Sequence, residues 1–329
     1  MVNALGTPLT SDEDVAGWVR SLGLGPDGRS GLVDVHVHFL PERMLQKVWA
    51  YFDDAVAHYG YDWPIHYKLG EDERLARLRA LGVETFAPLV YPHKPDMAAW
   101  LTGWALDWAA EVPQAVPTAT LFPEESVTTY LGEALERGAR LVKAHVQVGG
   151  YDPRDPLLDP AWGLLAEAGI PVVAHCGDGP IPGRHTGIEI IGEVMDRHPR
   201  LPLVLAHAGL PDYDAALRLV DRHPSVRLDT TMVGTPFTEG FAPLPRDWAS
   251  RLADLSGAGR VVLGTDFPNI PYAYWHQLEA IRGWAVADDR LGEGFLRSVL
   301  YDAPAALLQV ARPDGVPQED QAGVGRYDG

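Results

Sequence analysis

The stretch from Leu32 to Phe39, LVDVHVHF, decides the fold class of this chain. Its apolar and polar residues alternate, which predicts a β-strand with valines on one face and polar side chains on the other. If the valines face surrounding helices, His36 and His38 point into the interior of a barrel. Branched apolar side chains normally fill such an interior, so two imidazoles there indicate a functional site.

Seven further β-rich runs follow, and most are separated by amphipathic segments long enough to return the chain for a parallel strand. The predicted strands are Leu32–Phe39, Thr85–Tyr91, Ala115–Leu121, Leu141–Val148, Pro171–Cys176, Leu203–His207, Val226–Met232 and Val261–Asp266. This alternation predicts an α/β protein with a (β/α)8 TIM-like barrel. An open doubly wound sheet is the alternative, but no GxGxxG follows the first strand, so its dinucleotide-binding version has no support.

The chain divides into three predicted parts. Residues 1–30 contain one helix after Ser11 and form an N-terminal helical extension. Residues 31–310 form the barrel, and residues 311–329, rich in Pro, Gly and Asp, are predicted to be a disordered tail. The aromatic connection between the first two strands is long enough to cover the barrel mouth.

Composition excludes several classes of protein. Apolar residues make up 46% and charged residues 22% of the chain, as in globular proteins. The net charge of −18 would repel nucleic acid and anionic membranes. The apolar run Met97–Ala110 is short of the ~20 residues that span a bilayer. The N-terminus lacks the features of a signal peptide, and the single cysteine, Cys176, fits a reducing compartment, so we predict a cytoplasmic protein.

Residues able to bind metal recur where the predicted strands end. Lys143 and His145 lie on the fourth strand, His175 on the fifth, His207 on the sixth and Asp266 on the eighth. The carboxyl ends of barrel strands form the face on which barrel active sites are built. Coincidence on five strands is hard to sustain, so these side chains are predicted to form one site.

This order of residues resembles the amidohydrolase superfamily of metal-dependent barrels. More narrowly, LVDVHVHFLP at 32–41, HAG at 207–209 and GTDFP at 264–268 resemble the amidohydrolase-2 group. That group includes aminocarboxymuconate semialdehyde decarboxylase, resorcylate decarboxylases and pyrone dicarboxylate lactonase. The resemblance covers residues 31 to 310 and is specific for the family but not for the substrate.

The resemblance implies a ligand set. His36, His38, His175 and Asp266 would hold one divalent ion, with Zn²⁺ expected first and Mn²⁺ or Fe²⁺ as alternatives. His207 would be the unligated base, and Asp266 would also take part in catalysis. In binuclear members a carboxylated lysine on the fourth strand bridges two ions, so Lys143 leaves that alternative open.

The chemistry needs these residue types. A divalent cation lowers the pKa of bound water from ~15.7 to about 7 and polarises a carbonyl group. An imidazole has an intrinsic pKa suited to moving the proton of that water. A carboxylate such as Asp266 can ligate the ion and accept the proton.

Residues around the mouth are candidates for substrate contacts. His145 and Gln147 share the inward face of Lys143, and a buried hydrogen-bonded pair is the alternative. Arg184 follows the fifth strand, and Asn269 and Tyr272 follow the eighth. His93 and Lys94 follow the second strand, and cations at the mouth would suit an acidic or phenolate substrate.

The sequence therefore favours a metal-dependent hydrolase of an amide or lactone bond in a small organic molecule. A non-oxidative decarboxylase of an aromatic or muconate-like acid is the alternative. A catalytically silent metal-binding barrel is the third hypothesis, and the intact set of ligands argues against it. A homodimer is expected from the family; Trp100, Trp104 and Trp108, on one helix face, could form its interface or pack against the barrel.

Overall fold

The computed structural model describes residues 5–24, 31–256 and 259–310. Eight parallel strands follow one another in the order of the sequence, with helices between them. The strands are β1 (Leu32–Val37), β2 (Val83–Pro88), β3 (Thr118–Thr120), β4 (Leu141–His145), β5 (Val172–His175), β6 (Leu203–Leu205), β7 (Val226–Asp229) and β8 (Val261–Val262). This is the predicted (β/α)8 architecture. The tail predicted at residues 311–329 lies outside the described residues.

The strands pair in two groups, β1-β2 and β3 through β8. Isolated parallel bridges join the groups at both seams, between Phe86 and Ala115 and between Val37 and Phe267. The amide of Val35 also donates to the carbonyl of Leu263 at 2.9 Å. The strands therefore follow one another around a ring, with single bridges instead of a continuous ladder at the seams.

Most strand residues are buried, with Glu84 of β2 as an exposed exception, because helices cover the outside of the strands and side chains fill the inside. Among these helices, α10 is amphipathic and buries Tyr213, Leu217 and Val220. The described helices are α1 (Asp12–Leu22), α2 (Glu42–Asp53), α3 (Ala55–Tyr59), α4 (Glu71–Ala80), α5 (Ala98–Glu111), α6 (Val127–Glu136), α7 (Val146–Gly149), α8 (Asp159–Ala168), α9 (Ile188–Arg197), α10 (Tyr213–Arg222), α11 (Pro236–Glu239), α12 (Trp248–Ser256), α13 (Trp275–Ala287), α14 (Gly292–Arg297) and α15 (Ala303–Leu307). Within the described ranges, no helix is both long and apolar enough to cross a membrane.

The predicted helix of the N-terminal extension is α1, and it docks on the barrel. It buries Val15, Trp18 and Val19. At its start, Asp12 accepts hydrogen bonds from the hydroxyl of Tyr67 at 2.5 Å and from the amide of Trp275 at 3.2 Å.

Several strands end earlier than the sequence predicts, because the backbone turns where the functional side chains lie. Strand β4 stops at His145, whose Nδ1 accepts from the amide of Val148 at 3.4 Å and so caps the one-turn helix α7. The prediction that Gln147 shares a strand face with Lys143 is therefore wrong. His207 and Asp266 also lie beyond their strands, in a short 3₁₀ turn (Ala206–Gly209) and in the loop after β8.

Candidate metal centre

Three predicted metal ligands lie together at the carboxyl ends of β1 and β8. The Nε2 atom of His38 is 2.8 Å from Oδ1 of Asp266, and Nε2 of His36 is 3.7 Å from the same oxygen. The three residues each offer one ligand atom, and all these atoms lie within 4.8 Å of one another. Two imidazole nitrogens and a carboxylate oxygen are the donors that zinc and similar ions take.

The opposite ring nitrogens of both histidines are anchored. Nδ1 of His36 is 2.8 Å from Oδ2 of Asp229, and Nδ1 of His38 is 2.9 Å from the carbonyl oxygen of Leu89. A carbonyl can only accept, so Nδ1 of His38 carries the proton, and Nδ1 of His36 carries it when it donates to the Asp229 carboxylate. Each Nε2 then keeps its lone pair for a metal ion, which is the usual arrangement of metal-binding histidines. The residues fit a divalent ion.

Asp229 is a functional residue that the sequence analysis missed. It lies at the end of β7, fully buried, and binds two parts of the site. Its Oδ2 meets His36, while its Oδ1 accepts from the backbone amides of His207 at 2.7 Å and Thr231 at 3.1 Å. One carboxylate therefore orients a metal ligand and fixes the backbone at the candidate base.

Asp34 lies on β1 with His36 and holds the backbone of that residue. Its Oδ1 accepts from the backbone amide of His36 at 3.0 Å. Its Oδ2 accepts from the hydroxyls of Thr265 at 2.6 Å and Tyr274 at 3.0 Å. Burial raises the pKa of this carboxyl to about 7. Asp34 thus binds the backbone of His36, whereas Asp229 binds its imidazole.

Lys143 is fully buried beside the cluster, with Nζ 3.2 Å from Nε2 of His36. Burial lowers the pKa of its ammonium group to about 8, against the opposing effect of Asp229 and Asp266. The Nε2 atom of His36 cannot accept from Lys143 and ligate a metal at once. Metal binding would therefore release the amine of Lys143 for another role.

Three more imidazoles lie in a row next to the cluster, those of His207, His175 and His145. The ring of His207 lies 5.3 Å from that of His36 and 4.6 Å from that of His175, which stacks on His145 at 4.2 Å. The Nε2 atom of His175 is 3.1 Å from the carbonyl oxygen of Gly179, and His175 is not in the three-residue cluster. In this arrangement the predicted fourth ligand bonds to the backbone.

Burial keeps these imidazoles neutral. It lowers the pKa of His207 to about 4 and the pKa values of His145 and His175 well below their usual range. Burial alone would raise the pKa of the Asp266 carboxyl, but its contact with the ring of His38 lowers that pKa overall. At neutral pH the site therefore presents bases and one carboxylate.

The backbone at His207 and Asp266 is in the left-handed region, with φ of 56° and 65°. Such conformations cost a non-glycine residue roughly 1–3 kcal/mol and persist where the surroundings hold them. The amide of His207 is held by Asp229, and the amide of Asp266 donates to the carbonyl of His36 at 2.8 Å. The strained turns aim both side chains at the cluster.

The cluster opens into a cavity of about 620 Å³, within the size range of small-molecule sites. Polar side chains at its deep end are those of His38, His145, His175, His207 and Asp266. Residues of α2 and α3 form the aromatic wall predicted for the connection between the first two strands, together with Trp63. The substrate therefore reaches the cluster past apolar surface.

Four of the seven predicted substrate contacts, including His145, line this cavity and three do not. Gln147 lines it and hydrogen bonds to the carbonyl of Ile181. Asn269 lines it as well, but its Oδ1 already accepts from Nε1 of Trp49 at 3.1 Å. Arg184 is exposed and Tyr272 is buried, and neither is among the lining residues. His93 lines the cavity and Lys94 does not.

The chain belongs to the amidohydrolase family, because the sequence model of that family (Amidohydro_2) matches residues 33–310. No curated protein sequence matches the chain.

Solved structures with a similar fold include an uncharacterised protein, a candidate hydrolase and a decarboxylase. An uncharacterised TIM-barrel protein from Bordetella bronchiseptica is 17% identical, with a TM-score of 0.63 over 85% of this chain and 98% of that one. A candidate 2-pyrone-4,6-dicarboxylic acid hydrolase from Pseudomonas putida is 18% identical, with a TM-score of 0.56 over 85% and 97%. The 5-carboxyvanillate decarboxylase of Novosphingobium aromaticivorans, solved with manganese, is 16% identical, with a TM-score of 0.57 over 85% and 96%. At these identities the likeness shows the fold alone.

Proposed function

We propose that this protein is a metal-dependent hydrolase that cleaves the C–O or C–N bond of a lactone or amide in a small organic molecule. One observation carries the proposal. The Nε2 atoms of His36 and His38 and a carboxylate oxygen of Asp266 converge beside a substrate-sized cavity, which His38 and Asp266 line. Anchored Nδ1 atoms leave both Nε2 atoms ready for an ion.

When bound, a divalent ion would lower the pKa of a water molecule and polarise a substrate carbonyl. His36, His38 and Asp266 would hold it, with His175 as a further ligand if its bond to Gly179 is given up. Zinc is the ion we expect first, and a carboxylated Lys143 with two ions is the alternative.

The residues of the chain divide the proton transfers between them. Hydrolysis adds the hydroxyl of water to the carbonyl carbon and a proton to the leaving oxygen or nitrogen. His207 lines the cavity with a neutral ring, so a ring nitrogen can take the proton from water and return it to the leaving group. Asp266 is ionised and can orient the same water.

Decarboxylation is the second candidate, and the buried amine of Lys143 favours it. Loss of carbon dioxide leaves an electron pair on carbon that must take up a proton. An ammonium group 3.2 Å from Nε2 of His36 could be displaced toward the substrate and supply that proton. Neutral imidazoles serve water activation better than protonation of carbon, so hydrolysis stays first.

The decisive experiment has two readouts. Metal content is measured by plasma mass spectrometry on protein purified without a histidine tag or added metal, for the wild type and His36→Ala. About one equivalent in the wild type, lost in the variant, supports the proposed site, whereas two would indicate a carboxylated Lys143. No metal, even after zinc, manganese or iron is added, would refute the mechanism.

The reaction is then identified with the metal-loaded protein. Proton release from lactones and amides reports hydrolysis, and carbon dioxide release from aromatic acids reports decarboxylation. His198→Gln is the matched control, because His198 lies at the end of α9 and pairs with Asp159, outside the cavity. This variant should keep both metal and activity.

A further inference from the structure

The charge of the cavity lining points to the class of substrate. Among the described residues that line it, Lys47 is the only lysine or arginine. Lys47 is exposed on α2, and the imidazole of His93 beside it is also exposed. The predicted cations Arg184 and Lys94 do not line the cavity. Lys143 is buried next to His36 and does not line the cavity, so the only lysine or arginine in the described lining lies at its outer edge.

The walls are instead apolar on two sides. Tyr51, Phe52 and Trp63 from the connection between β1 and β2 face the cavity, and Phe241 from the loop after β7 stacks on Tyr61 next to them at 5.0 Å. The other side carries Val148 and the proline-rich stretch 180–182.

Apolar surface also continues to the entrance. Tyr51, Val148 and Ile181 line the cavity, yet their side chains are 45%, 42% and 39% exposed. Isolated exposed apolar residues are ordinary, but three around one cavity mark a surface that a ligand covers.

A carboxylate moved from water into such surroundings loses its hydration without gaining a cation. Buried charges without partners are strongly disfavoured. A metal ion at the cluster could hold one anionic group, but a second one would lie against the apolar walls or near Asp266. The lining thus discriminates against substrates with charges away from the reacting group.

We propose that the substrate is an aromatic or alicyclic ester, lactone or amide whose body is uncharged and packs between these two apolar walls. This inference rests on the proposed hydrolase function. It excludes dicarboxylates, the kind of compound named for the hydrolase of Pseudomonas putida. The apolar walls select the body of the substrate, and the cluster selects its carbonyl.

Binding tests the inference without turnover. Tetralone, a cyclic ketone that mimics an aromatic lactone but cannot be hydrolysed, and a ring-carboxylated tetralone are titrated into the metal-loaded wild-type protein. Quenching of tryptophan fluorescence reports binding, since Trp63 lines the cavity. The neutral ketone should bind at least about tenfold more tightly than the carboxylated one. This factor is smaller than the full cost of burying an unpaired charge would give.

A variant with an added cation should gain affinity for the carboxylated ketone. Tyr51→Arg puts a cation on the wall and should improve the relative affinity for the carboxylated ketone by about tenfold, as a new ion pair in a partly buried site allows. Val56→Arg is the matched control, because Val56 lies on the neighbouring helix α3, is 61% exposed and does not line the cavity. It should leave the preference unchanged.

The inference is overturned if the carboxylated ketone binds the wild type as tightly as the neutral one, or if neither binds. Dihydrocoumarin, the corresponding aromatic lactone, separates the two proposals. If the neutral ketone binds selectively but the lactone is not hydrolysed, the preference for uncharged ligands stands and the hydrolase function fails.

Discussion

At the scale of single residues, the alternation of polar and apolar positions predicts which side chains enter the barrel. It identifies His36 and His38, while Asp266 is identified by its place at the end of the eighth predicted strand, and the structure brings the three together. The same pattern is present in β7, where Val226 and Leu228 alternate with Arg227 and Asp229, but the predicted strand runs to Met232, so the pattern does not place Asp229 at a strand end. The hydrogen bond of Asp229 to His36 joins residues 193 positions apart, which no local pattern encodes.

Asp229→Asn should weaken metal binding. The amide can present its NH₂ group to Nδ1 of His36, which would favour the wrong tautomer, and loss of such a partner typically costs about 10–100-fold in metal affinity. Competition with a chromophoric chelator measures this, and circular dichroism checks folding. Asp159→Asn is the matched control. Asp159 accepts a hydrogen bond from His198 at 3.0 Å and does not line the cavity. An unchanged affinity in Asp229→Asn would show that the carboxylate does not orient His36.

His207→Asn should separate metal binding from catalysis. The ring of His207 lies beside the cluster without belonging to the three residues whose ligand atoms converge. The variant should therefore keep its metal while kcat falls by about 10²–10⁴-fold, the usual contribution of a general base. Loss of the metal in parallel with activity would instead identify His207 as a ligand.

At the scale of elements, the connection between β1 and β2 has a role that the sequence only partly predicts. Its length and aromatic content indicate a cover for the barrel mouth, and α2 and α3 do line the cavity. Its anchorage depends on distant residues. Nε1 of Trp49 donates to the side chain of Asn269, and Nε1 of Trp63 donates to the backbone carbonyl of the same residue at 2.8 Å. Asn269, predicted to contact substrate, thus ties this cover to the loop after β8.

Trp63→Phe should loosen this cover. The variant keeps an aromatic ring but loses one buried hydrogen bond of about 1 kcal/mol and leaves the carbonyl of Asn269 short of a donor. The free energy of opening such a segment depends on few contacts. The amides of residues 42–67 should therefore exchange hydrogen several-fold faster than in the wild type, as measured by mass spectrometry. Trp100→Phe is the matched control, because Trp100 is 54% exposed on α5. Equal exchange in both variants would mean that packing alone holds the cover.

At the scale of the whole molecule, the eightfold alternation predicts the architecture because each strand and helix is encoded locally. The docking of the N-terminal extension is not encoded locally. Asp12 binds Tyr67, the hydroxyl of Tyr67 accepts from the amide of Tyr274 at 2.7 Å, and the hydroxyl of Tyr274 donates to Asp34. Asp34 holds the amide of His36, so a chain of hydrogen bonds runs from α1 to the strand of the metal cluster.

Asp12→Ala should lower the stability of the whole barrel, because it leaves Tyr67 and the amide of Trp275 without their acceptor. Hydrogen bonds to a charged group contribute roughly 1.5–3 kcal/mol when buried, and Asp12 is half-buried, so we expect a loss of about 1–2 kcal/mol. Thermal unfolding should show a Tm lower by a few degrees. Asp14→Ala removes an equivalent charge from the same helix turn, but its hydrogen bonds to Thr10 are exposed, so its loss should be smaller. Metal content should stay the same in both variants, since Asp229 and Leu89 still anchor the ligands; if Asp12→Ala also releases the metal, the extension is part of the site.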